Sequence, residues 1–213
     1  MNTTRQLTNV ELFHALVSQF HRAFDVASYQ NTRKVPGRIL ELRASLIEEE
    51  LNEYTDALKR ADKLEMLDGL ADLAYVIAGT LIVCNLGPVR YTATKPINEY
   101  SVAPQANNII DECYNALPCH TRMSDYCNTA LKRIDDIAYK DFDFSNAFKT
   151  VHENNMAKLW PEEDWLKLRE TQSPEELFGV RRANGQYLVR NRAGKVIKPL
   201  NHTKVNLTQY IKT

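Results

Sequence analysis

Five acids in this sequence are of the type and spacing to do chemistry together. One stretch reads Glu48-Glu49-Glu50-Leu51-Asn52-Glu53, and a second places Asp68 four residues before Asp72. On a helix, residues three and four apart share a face. Leu42, Leu46, Glu49, Glu50 and Glu53 then form one stripe that starts apolar and turns acidic. Leu64, Asp68, Ala71, Asp72, Tyr75 and Gly79 form another, with Gly79 permitting close approach of a neighbour. Carboxylates gathered in a partly buried place repel one another, and burial itself disfavours their charged form. No Lys or Arg lies on these stripes beside the acids. A hard divalent cation relieves the repulsion, and Mg²⁺ or Mn²⁺ suits an all-oxygen ligand set. Such a cation takes further oxygens from a phosphate and lowers the pKa of a bound water. A run of glutamates is ordinarily a solvated helix face. These differ because they continue an apolar stripe, and because a second acidic pair stands in the same relation on the next helix. Glu48 and Asp56 fall off the stripe and are expected in solvent, whereas Glu65 could belong to the site or to the surface.

The elements that must position these acids are helices. Val10, Phe13, Val17, Phe20 and Phe24 give a helix over about Thr8–Ala27, capped by Thr8 or Asn9. Val35-Pro36-Gly37 suits a loop and a helix start. A second helix follows over about Arg38–Arg60, with Leu42, Leu46, Leu51, Tyr54 and Leu58 on its apolar face. After the short link Arg60–Lys63, a third runs over about Leu64–Asn85 and is stopped by Gly87-Pro88. Two long helices on so short a link form an antiparallel hairpin, which lets the two acidic stripes face each other. Val89–Gln105 reads as a loop. Ala106–Ala116, Met123–Tyr139 and Ser145–Leu159 read as further helices. Tyr187-Leu188-Val189 and Lys195-Val196-Ile197 alternate around Asn191–Gly194 as a hairpin. The expected fold class is all-α: a helical hairpin and four-helix-bundle core, with a small C-terminal β-hairpin or extended tail. Residues 1–213 make a single domain, in which 88–145 is an insertion or accessory helical element and 180–213 an extended tail.

Composition bounds the partners. Lys plus Arg and Asp plus Glu are each 27, so no overall field favours nucleic acid or an anionic membrane. The basic residues Arg181, Arg182, Arg190 and Arg192 are read as a solvated hairpin edge. The longest apolar stretch, Leu70–Val83, contains Asp72 and is not expected to span a bilayer. The N-terminus shows no basic region followed by an apolar core, so a cytoplasmic protein is expected. Cys84, Cys113, Cys119 and Cys127 form no Cys-x-x-Cys pair, and His120 beside Cys119 completes no zinc spacing. Free thiols are expected.

Glu49-Glu50-x-x-Glu53 followed by Asp68-x-x-x-Asp72-Leu73-x-Tyr75 resembles the all-alpha nucleoside triphosphate pyrophosphatases. These include MazG-like enzymes, phosphoribosyl-ATP pyrophosphohydrolases and dimeric dUTPases. Many members carry Glu where this chain has Gly69, and Asp68 one turn before Asp72 is similar to the phosphoribosyl-ATP pyrophosphohydrolase-like and phage branch. Phe20-His21-Arg22-Ala23-Phe24 resembles that branch's first-helix signature. Val151–Lys158 is similar to its Ser-Asn-Met-x-Lys segment, with Asn154 where Ser is common. Gly194-Lys195-Val196-Ile197-Lys198-Pro199 is similar to its closing motif. The likeness covers about residues 10–87 and 150–207.

The resemblance implies cleavage between the α and β phosphates of a nucleoside triphosphate by metal-activated water, giving a monophosphate and pyrophosphate. It implies Mg²⁺ (or Mn²⁺) held among Glu49, Glu50, Glu53, Asp68 and Asp72, with Glu49 or Glu53 positioning or deprotonating the water. Asn155, Lys158 and Lys198 would contact the polyphosphate. Arg43 could reach a phosphate or pair with Glu41, and His21 could line a base pocket or be structural. Phe20, Tyr75 and Trp160 could stack on a base or fill the core. The phage-like MazZ-type branch makes dGTP the first substrate to try, with house-cleaning and phosphoribosyl-ATP hydrolysis open. Its setting would be the host cytoplasm if the protein is of phage origin. Because a lone hairpin cannot cover both its faces, a homodimer or homotetramer completing the bundle is expected. The rival from another class is a non-enzymatic helical protein whose acids form a docking face.

Overall fold

Thr8 opens the first helix: its hydroxyl accepts from the Glu11 amide at 3.3 Å, and the Glu11 carboxylate reaches back to the Thr8 amide at 2.9 Å. The computed structural model describes residues 8–88, 101–171, 176–192 and 195–213. Within these, α1 spans Asn9–Ala23, α2 Gly37–Lys59, α3 Lys63–Val83, α4 Ala103–Tyr114, α5 His120–Asp141, α6 Phe144–Met156 and α7 Glu162–Thr171. A hairpin of β1 (Leu177–Arg181) and β2 (Tyr187–Asn191) follows. Residues 89–100 of the expected loop, and Ala193 and Gly194 of the expected hairpin turn, lie outside the described residues.

The α2–α3 hairpin is as expected. Asp62 caps α3 by accepting from the amides of Leu64 and Glu65. The link closes on Ala61 at φ +52°, with the Asp62 amide bonded back to the Ala57 carbonyl at 3.1 Å. Asp25 and Asn85 end α1 and α3 in the same left-handed way. Thus α3 stops at Val83, before the Gly87-Pro88 expected to stop it.

The apolar stripe of α2 is rotated from the one read in the sequence. Leu40, Ala44, Ile47, Leu51, Tyr54 and Ala57 are buried, while Leu42 and Leu58 are exposed. On α3 almost every side chain is buried, because neighbours surround it: α2 on one side, α1 and α6 on another, α5 on a third. That helix is long and apolar enough to cross a membrane by length and composition, but 72% of the stretch is buried inside the bundle.

The described part of the expected accessory element, residues 101–145, packs into the bundle. α4 packs on α2, and α5 packs on α3 and α4. Val102, Ile109, Met123, Leu131 and Ile134 share one core with Ile47, Leu70 and Ile77. α4 and α5 therefore cover a second face of the α2–α3 hairpin within the chain, while Leu42, Leu58 and Leu64 remain exposed on it.

The C-terminal hairpin also differs. Tyr187–Val189 does form a strand, but its partner is Leu177–Arg181, whose alternation is interrupted by Gly179. Lys195–Ile197 returns to the other side of β2 through a single bridge, Arg190 to Val196. Trp160, Trp165 and Val189 bind this hairpin to α7, and Phe24, Leu159 and Leu188 bind it to α1. Arg182 pairs with Asp25 at 2.5 Å and Arg190 donates to the Phe24 carbonyl at 2.5 Å, so these two bases anchor the hairpin.

The tightest helix contact is at Gly69. A Cβ there would lie 3.0 Å from the Tyr54 Cα and 3.1 Å from its nitrogen. The glutamate that many relatives carry at this place has no room. Gly69→Ala should destabilise the protein by about 1–3 kcal/mol in denaturant unfolding, although alanine is the better helix former by about 1 kcal/mol. An unchanged or raised midpoint would show that the helices can part.

Candidate active site

Acids from α2 and α3 meet at a cavity of about 580 Å³. Its wall includes Glu50 and Glu53 from α2, Asp68 and Asp72 from α3, Phe20 and His21 from α1, and Asn154, Asn155 and Lys158 at the end of α6. Lys198, His202 and Lys204 from the C-terminal segment close the opposite side, and Arg43, Leu46, Tyr75 and Val76 complete the lining. Of the expected site residues, only Glu49 does not line the cavity; it is exposed on α2. Trp160 is likewise absent, its indole donating to the Ile197 carbonyl at 2.7 Å.

The acids raise one another's proton affinity. Burial, and then the charges of Asp72, Glu53, Glu49 and Asp68, push the Glu50 carboxyl up to about 8. Burial and Asp68 push Asp72 up to about 6, against the opposing pull of Lys158. Oxygen donors in mutual repulsion are the chemistry a hard divalent cation satisfies, so the residues fit Mg²⁺ or Mn²⁺. Among the described residues, no three His, Cys, Asp or Glu side chains converge closely enough to ligate one ion as they stand. A cation here would complete its shell with waters or phosphate oxygens, as Mg²⁺ commonly does.

Two cations meet these acids from outside the stripes. Lys204 pairs with Asp68 at 2.9 Å and approaches Glu65 at 3.8 Å. No base lies on the stripes themselves, as expected; this one comes from the C-terminal segment, and it also draws Glu65 to the rim. Lys204 lies in a tail with no periodic pattern, and nothing in the sequence signals its partner. The tail is pinned by Asn154 Nδ2 donating to the Thr203 carbonyl at 2.8 Å, and by His202 Nε2 on the Asn154 carbonyl at 3.0 Å. Lys158 is the second cation. Its Nζ bonds Asn155 Oδ1 at 2.5 Å, and burial and Lys198 lower its pKa while Asp72 and Glu50 raise it. Tyr75 bonds His152 Nδ1 at 3.1 Å and meets Phe20 edge-on, with ring centroids 5.5 Å apart.

Arg43 stands at the far end. Its Nε donates to Thr80 Oγ1 at 3.1 Å and its Nη2 to the Val76 carbonyl. It does not pair with Glu41, and it lies two turns along α2 from Glu50. His21 lies beside it, held neutral with its pKa lowered to about 4 by burial and then by Arg43. A Cβ on Gly79 would lie 2.8 Å from Arg43 Nη2 and 3.1 Å from His21 Nε2, so this glycine makes room for both.

Comparison with known proteins reaches the helices that carry this cavity. Residues 12–93 match the family model for phosphoribosyl-ATP pyrophosphohydrolase. That segment holds α1 to α3, and with them every acid of the cavity, His21 and Arg43. The match supports hydrolase chemistry on nucleotides of this general kind. An uncharacterized protein of Acanthamoeba polyphaga mimivirus is 28% identical over 166 residues, which are 65% of this chain. The chain spans about 62% of that relative's length. No solved structure matches.

Glu50 and Asp72 bind protons more tightly folded than unfolded. Their contribution is unimpaired below the ordinary carboxylate range and is lost as pH rises from there through about 6 and about 8. Melting temperature in EDTA should therefore fall between pH 5 and pH 8.5 more steeply for the native chain than for Glu50→Gln. Parallel curves would show that Glu50 titrates normally.

Proposed function

We propose that this protein is a metal-dependent nucleotide pyrophosphohydrolase that cleaves a nucleoside or deoxynucleoside triphosphate to monophosphate and pyrophosphate. The observation that carries the reading is one cavity in which Glu50, Glu53, Asp68 and Asp72 face Lys158, Lys198 and Lys204. A polyphosphate needs both walls: lysines for its own charge, and carboxylates for the cations that travel with it. When bound, Mg²⁺ or Mn²⁺ would polarise a phosphate oxygen and make water a stronger nucleophile. Glu50, Glu53, Asp68 and Asp72 would hold it.

The chain's own groups supply the remainder. Glu53, exposed at the cavity wall, would position the attacking water or take its proton through the oxygen that the cation leaves unengaged; Glu49, outside the lining, is the weaker candidate. Lys158 and Lys198 offset charge on the departing pyrophosphate, and Asn155 fixes Lys158 in direction. Lys204 must leave Asp68 if that acid is to ligate metal, and a displaced Lys204 is placed to meet phosphate instead.

The test is incubation with the common ribo- and deoxyribonucleoside triphosphates, dGTP first, in Mg²⁺ or Mn²⁺, with product analysis. Monophosphate and pyrophosphate in equal amounts are expected. No turnover together with no heat of Mg²⁺ binding would return the protein to the helical interaction class. Glu50→Gln and Asp72→Asn should each lower kcat/KM by at least about a hundredfold. Near-native rates in either variant would remove that residue from the ligand set.

A further inference from the structure

Lys158 is held in an unexpected place for a cation beside acids. The carboxylates of Asp72 and Glu50 attract its ammonium, and Lys198 repels it. Yet its Nζ bonds the neutral amide oxygen of Asn155, at 2.5 Å, and neither acid. An ammonium on a flexible four-carbon stem pairs with a nearby carboxylate unless something holds it elsewhere.

Asn155 is itself held, and the contacts have a direction. His152, Asn155 and Lys158 recur every three residues at the end of α6, so they follow one face. Tyr75 of α3 meets that face. Its hydroxyl lies 3.1 Å from His152 Nδ1 and also shares a hydrogen bond with the Asn155 side chain. An ammonium can only donate, so Lys158 takes Asn155 Oδ1 as its acceptor and leaves the amide NH₂ to face Tyr75. The phenol oxygen therefore accepts from Asn155. Burial pushes the Tyr75 phenol well above its usual range, so it keeps its proton, which is left for His152 Nδ1. Burial also lowers the pKa of His152, which keeps the ring neutral and able to accept. The donors thus run one way, from Lys158 to Asn155 to Tyr75 to His152, and a neutral imidazole ends the series.

The far members of the series cannot drift. Tyr75 is 8% exposed and His152 6%. Their rings stack with centroids 6.2 Å apart, and Phe20 and Phe148 meet Tyr75 at 5.5 and 5.6 Å. His152 does not line the cavity, so whatever it does there it does through Tyr75.

We propose that Tyr75 and His152 are positioning residues, acting through Asn155 to hold Lys158 off the acids and directed at the polyphosphate. This rests on the pyrophosphohydrolase reading for the identity of the ligand. Without the anchor, Lys158 swings onto Asp72 or Glu50, where it occupies a metal ligand and leaves phosphate charge unmet. The series therefore keeps the cation wall and the carboxylate wall of the cavity apart.

The experiment is a double-mutant cycle with two readouts. One is kcat/KM for the triphosphate turned over best; the other is calorimetric binding of inorganic pyrophosphate in Mg²⁺, where no turnover is needed. Tyr75→Phe, which keeps the ring and removes the hydroxyl, and His152→Leu should each lower kcat/KM by roughly 10- to 100-fold. Each should weaken pyrophosphate binding by at least about threefold. In a Lys158→Met background the same substitutions should change neither readout by more than about twofold, because the residue they act through is gone. His152→Asn, which returns an acceptor oxygen near the place of Nδ1, should recover native values to within about threefold. Should His152→Leu fail to fold, Tyr75→Phe carries the cycle alone. Equal losses with and without Lys158, native values in Tyr75→Phe, or His152→Asn no better than a folded His152→Leu would overturn the proposal. Lys158-dependent loss of pyrophosphate binding in Tyr75→Phe, without hydrolysis of any triphosphate, would uphold the anchor and refute the hydrolase reading. Neither turnover nor pyrophosphate binding in the native chain would overturn both.

Discussion

Two close approaches along one helix govern the structure. Gly69 admits the Tyr54 backbone of α2, and Gly79 admits the Arg43 guanidinium and the His21 ring. The first pinch lies one residue from Glu53 on α2 and one from Asp68 on α3, so the distance between acidic stripes is set by backbone contact. The second lies ten residues further along α3 and fixes the opposite end of the same cavity. Between them lies the cavity that α1, the end of α6 and the C-terminal segment also line. Interiors are close-packed, so a cavity of this size must be held open by elements that cannot collapse. Here the rigid elements are α2 and α3, locked by Asp62 and Ala61 at their link.

That arrangement has an electrostatic consequence. Bringing Glu50 and Asp72 together in partial burial stabilises their protonated forms, which is unfavourable at neutral pH without a cation. The chain mitigates this with bases delivered from distant segments: Lys158 at the end of α6, and Lys204 from the tail. Lys204 offsets the charge of Asp68 directly. It ties the order of residues 199–213, which run along α6 through Asn154 and Tyr210, to the state of the acids.

The sequence made the helices and most of the cavity legible because periodicity reports burial and acids on a buried stripe are conspicuous. The rotation of the α2 stripe was not legible: Leu42 and Leu46 look equivalent to Leu40 and Ile47 until α4 is seen to cover one side. Lys204 and His202 sit in a segment whose placement depends on single backbone bonds to Asn154, which leave no pattern. β1 was overlooked because Gly179 interrupts its alternation. Spacing puts Arg43 on the acidic helix but says nothing of the Val76 carbonyl and Thr80 hydroxyl that hold it.

The position of α4 and α5 changes what oligomerisation would have to accomplish. A bare α2–α3 hairpin exposes the apolar side chains of both helices and must bury them against something. In this chain Ala106, Ile109, Met123, Leu131 and Ile134 do that burial, and α1 and α6 close the opposite side around Phe13, Phe148 and Tyr75. The core of α3 is thus complete without a second copy. What the hairpin leaves exposed is Leu42, Leu58 and Leu64, and these are the apolar side chains that an association between copies would have to cover.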